Sequence, residues 1–306
     1  MPEFVQSAEL TAIAVGYRNA DFIADLVLPR AGVGSAAFRF TRYEVAGAYT
    51  VPDTRVGRTS QPNTIDIRGD EASAAVEDFG LDAPLPNDDA ARITTLDARG
   101  ALTERLTDLV MLDREKRVAA FYADPAHYAP EYVEALSGAS MFSDPASDPL
   151  DCLLAALDEP LARPTEMIMG QPVWSVLRRH PRLVKALRND TGEGAITREQ
   201  LAELLEIKAV HVGVSRVNTN RPGKAPALER VWGNFIALPF IDRSVDFSTA
   251  GVTFGLTAQW GDRVAGEIED PDMGLRGGVR LRSGESVREV SIAPHAGYLL
   301  RNVVQS

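Results

Sequence analysis

One helical pattern constrains this chain more than any other feature. From about Ala90 to Tyr122 an apolar face recurs at helical spacing through Ile93, Leu96, Leu102, Leu106, Leu109 and Val110, behind the acidic start Asn87, Asp88 and Asp89. At 1.5 Å per residue such a helix runs on the order of 45 Å, longer than most small domains are wide. Gly100 is the position at which it would bend or weaken.

The segments around it alternate between strand and helix. Ser7 can cap a short helix to Val15, and Asp21 to Leu28 forms another that stops at Pro29, together an N-terminal arm with little core of its own. Phe38 to Tyr43 alternates with period two, and Thr64 to Arg68 repeats that pattern more weakly beyond a Pro-, Gly- and Thr-bearing stretch. A hairpin with so long a tip needs another surface to pack on, which another subunit could supply.

Further along, Asp148 can cap a helix with Pro149 in its first turn and an apolar stripe at Leu150, Leu153, Leu154 and Leu157. Glu166 to Gly170 reads as a buried strand, Pro172 to Leu187 as a helix interrupted near Pro181, Thr197 to Leu205 as a helix with a Thr-x-x-Gln capping box, and Ala209 to Val214 as a strand. Strand patterns return at Val252 to Leu256, Gly278 to Arg282, Val287 to Ile292 and in the closing run Tyr298 to Val304. No fixed-period repeat interrupts this order, and the fold class is α+β.

Composition and motifs argue against most chemistry. The 306 residues carry 32 Lys plus Arg against 43 Asp plus Glu, a net charge of -11 that argues against a surface built to grip phosphate backbones. The single Cys152 excludes an intramolecular disulfide framework and reads as a buried, inert thiol. The N-terminus has no signal-peptide pattern and no stretch approaches the length of a membrane span, so no membrane role is expected. His127, His180, His211 and His295 lack metal-ligand spacing and read as structural or solvated, His211 facing outward from its strand. The chain has no phosphate-binding loop, and Gly192-Glu193-Gly194 reads as a turn rather than a dinucleotide motif. Glu267, Glu269, Asp270 and Asp272 read as a solvated acidic loop, and Trp174 and Trp232 as core. No catalytic, cofactor-binding or metal residues are expected, and no cofactor.

Several stretches, in this order along the chain, resemble phage major capsid proteins of the HK97-like fold. They are Ala24 to Arg30, Val51-Pro52-Asp53, Arg163 to Trp174 with Leu177 and His180-Pro181, Thr197 to Leu204, Val210 to Gly213 with Asn218, Val231 to Asn234, Phe254 to Trp260, and Ala293 to Leu300. The resemblance implies an N-terminal arm at 1–37, an extended hairpin loop at 38–86, a peripheral domain with its spine helix at 87–147, an axial domain at 148–272, and returning peripheral strands at 273–306. It implies copies of the chain in hexamers and pentamers, an icosahedral head around double-stranded DNA without sequence-specific contacts, assembly in the host cytoplasm, and a portal. With some 37 residues before the first hairpin strand, scaffolding is expected from a separate protein, and decoration proteins are further expected partners. Some relatives crosslink through a Lys and an Asn; the hairpin here contains no Lys, which implies a noncovalent shell.

Charge patterning suggests where copies meet. Arg30, Arg39, Arg42, Arg55 and Arg58 make the arm and outgoing hairpin basic, and the returning segment is acidic from Asp66 to Asp89. Arg55 and Arg58 at the tip are expected to meet acidic groups of a neighbour, with Asp70, Glu71, Glu77 and Asp78 as candidates. The rivals to this reading are a cellular nanocompartment shell of the same fold, marked by an internal cargo-docking site, and a soluble enzyme with a site assembled from scattered residues.

Overall fold

A computed structural model describes residues 3–42, 51, 53–62, 64, 70–92, 97–188, 194–221, 223–248 and 251–305. After β1 (Val5–Gln6), Ser7 caps α1 (Ala8–Gly16) by accepting the Leu10 N–H at 3.3 Å. The second arm helix is shorter than expected: α2 is one turn, Ala24–Val27, because the Ile23 and Ala24 N–H groups donate to a distant carboxylate, Glu115, instead of continuing a helix backwards. The arm ends in β2 (Arg30–Gly32).

β3 (Ala37–Arg42) follows the Phe38 to Tyr43 alternation. Of the expected return strand, Ile65 to Arg68 lie outside the described residues; β3 pairs instead with β4 (Asp70–Ala75), whose Asp-Glu-Ala-Ser-Ala-Ala sequence carries no strand signal. The register explains it, since Phe38 lies opposite Ala74 and Phe40 opposite Ala72, and the small residues leave room for a third ring. Phe247 fills that room, its ring 5.1 Å from Phe38 and 6.1 Å from Phe40. The hairpin base therefore packs on its own chain, which supplies there the surface that a long hairpin needs.

β5 (Glu77–Pro86) leads to α3 (Asn87–Arg92) and α4 (Ala98–Ala123). The expected single helix is thus divided: Asp97 caps α4 afresh by accepting the Arg99 N–H, and Ile93 and Leu96 lie outside the described residues. The 26 residues of α4 span about 39 Å. Its buried stripe runs through Leu106, Val110 and Val118 and takes in Arg114 and Glu115, while Leu109 is 45% exposed. Gly100 lies in the first turn, where a Cβ would crowd the Asp97 carboxylate and touch Ile13 of α1. It serves close helix packing.

Then follow β6 (Val133–Ala135), α5 (Pro149–Asp158), β7 (Glu166–Gly170), α6 (Gln171–Leu177), α7 (Pro181–Arg188), α8 (Arg198–Leu204) and β8 (Ala209–Gly213). Asp148 caps α5 and the Thr197–Gln200 box caps α8, both as expected. The ribbon β9 (Arg216–Asn218) and β10 (Leu228–Arg230) precedes β11 (Phe235–Pro239), β12 (Gly255–Gln259), β13 (Val264–Asp270), β14 (Gly278–Ser291) and β15 (Gly297–Arg301).

Two sheets organise these elements. One has the order β6-β15-β11-β7-β8, with α5 to α8 packed on one face and the C-terminal half of α4 on the other. The second runs β1-β13-β14-β12-β2 with β5 on the far side of β14, and α1 and α4 lie across it. The strands are shared out differently from a division at residue 272: β12 and β13 join β14 in the second sheet, and β15 joins β7 and β8 in the first.

Two strand expectations need correction. Gly278 to Arg282 and Val287 to Ile292 belong to one 14-residue strand, β14, which runs through Gly284 because Gly80 lies opposite; a Cβ on Gly284 would meet the Phe79 carbonyl at 2.7 Å. The acidic loop is mostly a strand as well, with Glu267, Glu269 and Asp270 on β13 and Asp272 in the turn after it. The acids hide a period-two strand because cations hold them, Arg280 of β14 on Asp270 at 2.8 Å and Arg99 of α4 near Glu267 at 3.5 Å.

Candidate assembly surfaces

The described residues of the hairpin tip are exposed. Val51 is 88% exposed and Val56 46%, and Arg55 and Arg58 are exposed beside them, with the Arg55 N–H bonded to the Asp53 carboxylate at 2.9 Å. The acids expected to receive such a tip are placed unevenly. Glu71 lies 3.5 Å from Arg39 in an exposed pair across the hairpin. Glu77 pairs with Arg288, and Asp78 accepts from the Ser286 hydroxyl at 2.5 Å, so both are engaged on the second sheet of their own chain. Asp70 stands opposite Arg42 in the β3–β4 register.

The arm is fastened by consecutive residues of α4. The Arg114 guanidinium binds the Asp25 carboxylate and donates to the Thr257 hydroxyl at 3.0 Å and the Leu28 carbonyl at 3.3 Å. Asp25 also takes Arg30 Nε at 2.6 Å, and Glu285 takes both Arg30 at 2.8 Å and Arg263 at 3.0 Å. Burial pushes the Asp25 and Glu285 carboxyls up, but these guanidiniums overcome it and hold both below the usual carboxylate range. Next along the helix, the Glu115 carboxylate accepts from Ile23 N–H at 3.1 Å, Ala24 N–H at 2.8 Å and the Trp232 indole at 2.6 Å. Burial wins there and raises its pKa against those donors. Of these residues Arg114, Glu115, Arg263 and Glu285 were not marked by sequence reasoning, although Arg114 and Glu115 interrupt an apolar face one turn after Val110 and Met111, and that interruption was the available signal.

The histidines tie structure together. His211 does not face freely outward: its Nε2 lies 2.8 Å from Glu166, whose other oxygen accepts from Arg243 at 2.7 Å. His180 is buried beside Ser147 at 3.3 Å, His127 stacks on Phe121, and His295 lies 3.4 Å from Glu131. Cys152 is half-buried, and burial and Glu134 push its thiol up to about 11, so thiolate chemistry is suppressed at neutral pH. Trp174 and Trp232 are buried, as expected.

No family model matches the chain. The major capsid protein of Pseudomonas phage JBD67 is 45% identical over 298 residues, covering 97% of this chain and 96% of that protein. This chain belongs to the phage major capsid proteins. Among solved structures, a phage-related protein from Bordetella bronchiseptica RB50 superposes on the capsid protein with a TM-score of 0.78 at 21% identity, covering 98% of both chains. The capsid of cyanophage P-SCSP1u superposes with a TM-score of 0.57 at 13% identity, covering 94% of this chain and 89% of that one. The fold of this capsid protein is the HK97-like α+β fold, its role is structural, and it is a component of the virion.

Proposed function

We propose that copies of this capsid protein join in hexameric and pentameric rings and close an icosahedral head around double-stranded DNA. The observation that carries this is the 45% identity to a phage major capsid protein along nearly the whole of both chains. The unit on the β7–β8 sheet is the axial domain around the ring centre, and α4 with the β14 sheet is the peripheral domain. The hairpin reaches over a neighbouring copy. Its Arg55 and Arg58 seat against acids there, and among Glu71, Glu77 and Asp78 the least committed within its own chain is Glu71, since its pair with Arg39 is exposed and loose. The shell is noncovalent, assembles in the host cytoplasm, and takes portal and scaffolding or decoration proteins as separate partners. A net charge of -11 keeps DNA from adhering to the wall during filling.

Negative-stain electron microscopy with size-exclusion chromatography, on the chain alone and beside its neighbouring genes, tests the reading. Rings or closed shells are expected; a stable monomer under every condition overturns it. Replacing Arg55 and Arg58 by Glu is expected to lower assembly yield and salt tolerance, and unchanged assembly would remove the tip contact.

A further inference from the structure

The helical layer over the first sheet carries charge of opposite sign in two places. Around the start of α7, Arg178, Arg179, Arg182 and Lys185 are all exposed, and the acid paired there is Asp148, 3.4 Å from Arg182. Around the end of α8, Glu199, Glu203 and Glu206 are exposed, with Arg198 the one cation of that helix. Among the described residues Glu203 and Glu206 form no ion pair. The two patches are carried on different supports, for α7 packs on α5 whereas α8 packs on β8, an edge strand of its sheet, and the Ile196 N–H ahead of α8 donates to the Arg178 carbonyl at 2.8 Å.

Each patch includes a charge that opposes the dipole of its own helix, Arg182 in one and Glu203 in the other. The first turn of α7 holds Arg182 and no acid, at the positive end of the helix dipole, while Lys185 opens the last turn. The last turn of α8 holds Glu203 and no base, and Glu206 follows at φ 54°, both at the negative end of the helix dipole. Local helix stability disfavours each arrangement, so it does not account for either. A surface and its complement at different places on one molecule make a head-to-tail contact, which repeats from copy to copy and closes a ring when the rotation allows.

We propose that the basic flank at α7 of one copy docks on the acidic flank at α8 of a second copy, and that this contact sets the order of subunits around the ring. The inference rests on the ring reading given above and names the surfaces that meet. Complementary potentials of this kind steer encounter and fix register, and they weaken as salt shortens the screening length.

A charge swap tests it on the full chain. One variant carries Arg182→Glu and Lys185→Glu, a second Glu203→Lys and Glu206→Lys, and a third all four. Arg182→Glu and Glu203→Lys accord with their helix dipoles, but Arg182→Glu also faces Asp148, so thermal melting by circular dichroism selects for comparison the variants that melt as the parent does, and Arg182→Ala with Lys185→Ala replaces the first double variant if it does not. Each double variant alone is expected to lose rings and shells by about tenfold at ~0.15 M salt, and the fourfold variant, whose flanks are complementary again, to recover them. Double variants that assemble like the parent overturn the contact and leave the ring reading standing. Loss in the doubles without recovery in the fourfold variant also overturns it, because the charges then act on something other than each other. A parent chain that forms neither rings nor shells overturns the ring reading and the contact with it.

Discussion

The N-terminal arm and the hairpin look alike in sequence, since both are short apolar patterns with many charges and little core of their own, yet they are held in opposite ways. The arm places Ile23, Val27 and Leu28 against Tyr122 and Trp232, and its Asp25 and Arg30 enter a cluster with Arg114, Arg263 and Glu285. The hairpin is anchored at its base by Phe38 and Phe40, and the ion pair beyond them, Arg39 with Glu71, is 79% and 70% exposed. The same residue types thus have different worth. In low dielectric an ion that loses its partner is strongly unfavourable, whereas in water it is resolvated at little cost.

The largest test of that contrast is Arg114→Ala. It leaves Asp25 short of its buried partner and removes the bonds to Thr257 and Leu28, so unfolding in urea should show a loss of about 3–5 kcal/mol. A loss under about 1 kcal/mol would put the arm in the same class as an exposed pair and end the comparison. Phe40→Ala comes next. Phe40 is buried against Val245 and Phe247, but on a two-stranded ribbon that can open locally, so the expected cost is about 2–3 kcal/mol, below the range for a closed core. Hydrogen exchange should show the loss confined to β3 and β4; loss of protection on β14 as well would mean that the hairpin supports the sheet.

How much of this was legible before the structure depends on what each residue type advertises. β7, α5, α8 and β8 were readable because their apolar spacing and their caps, Asp148 and the Thr197–Gln200 box, agree with one another. β4 and β13 were not, because alanines facing phenylalanines and acids facing arginines satisfy a strand without β-branched residues. The division of strands between the sheets was hidden too, since β15 joins β11 and β6 through pairings distant in sequence that no local pattern encodes. The capsid family could be read from ordered landmarks. The arm clamp could not, because its members are scattered from Asp25 to Glu285 and meet only when α4 lies across the second sheet.

The third effect is a change in slope with pH and sharpens the arm side of the comparison. Burial raises the Glu115 pKa above its unfolded value of about 4.3, so the folded chain binds that proton more tightly and its contribution is lost as pH rises through the folded pKa. Asp25 and Glu285 are depressed and act in the opposite sense, their stabilisation being present above their unfolded values and lost as pH falls toward the folded ones. The melting temperature of the parent minus that of Glu115→Gln should therefore increase as pH falls from ~7 to ~4. A difference independent of pH would show that Glu115 titrates alike in both states.

The smallest effect belongs to the hairpin. Arg39→Ala with Glu71→Ala removes an exposed pair at 3.5 Å, and a double-mutant cycle on unassembled subunits should give a coupling under about 1 kcal/mol that fades with salt. The same substitutions in the assembled shell separate two roles for Glu71. If it only faces Arg39, shell yield follows the unassembled subunit and barely changes; if it receives Arg55 or Arg58 of a neighbour, Glu71→Ala lowers shell yield while Arg39→Ala spares it. A pair too weak to matter within one chain can still carry specificity between copies, because in a closed shell each contact is repeated by symmetry.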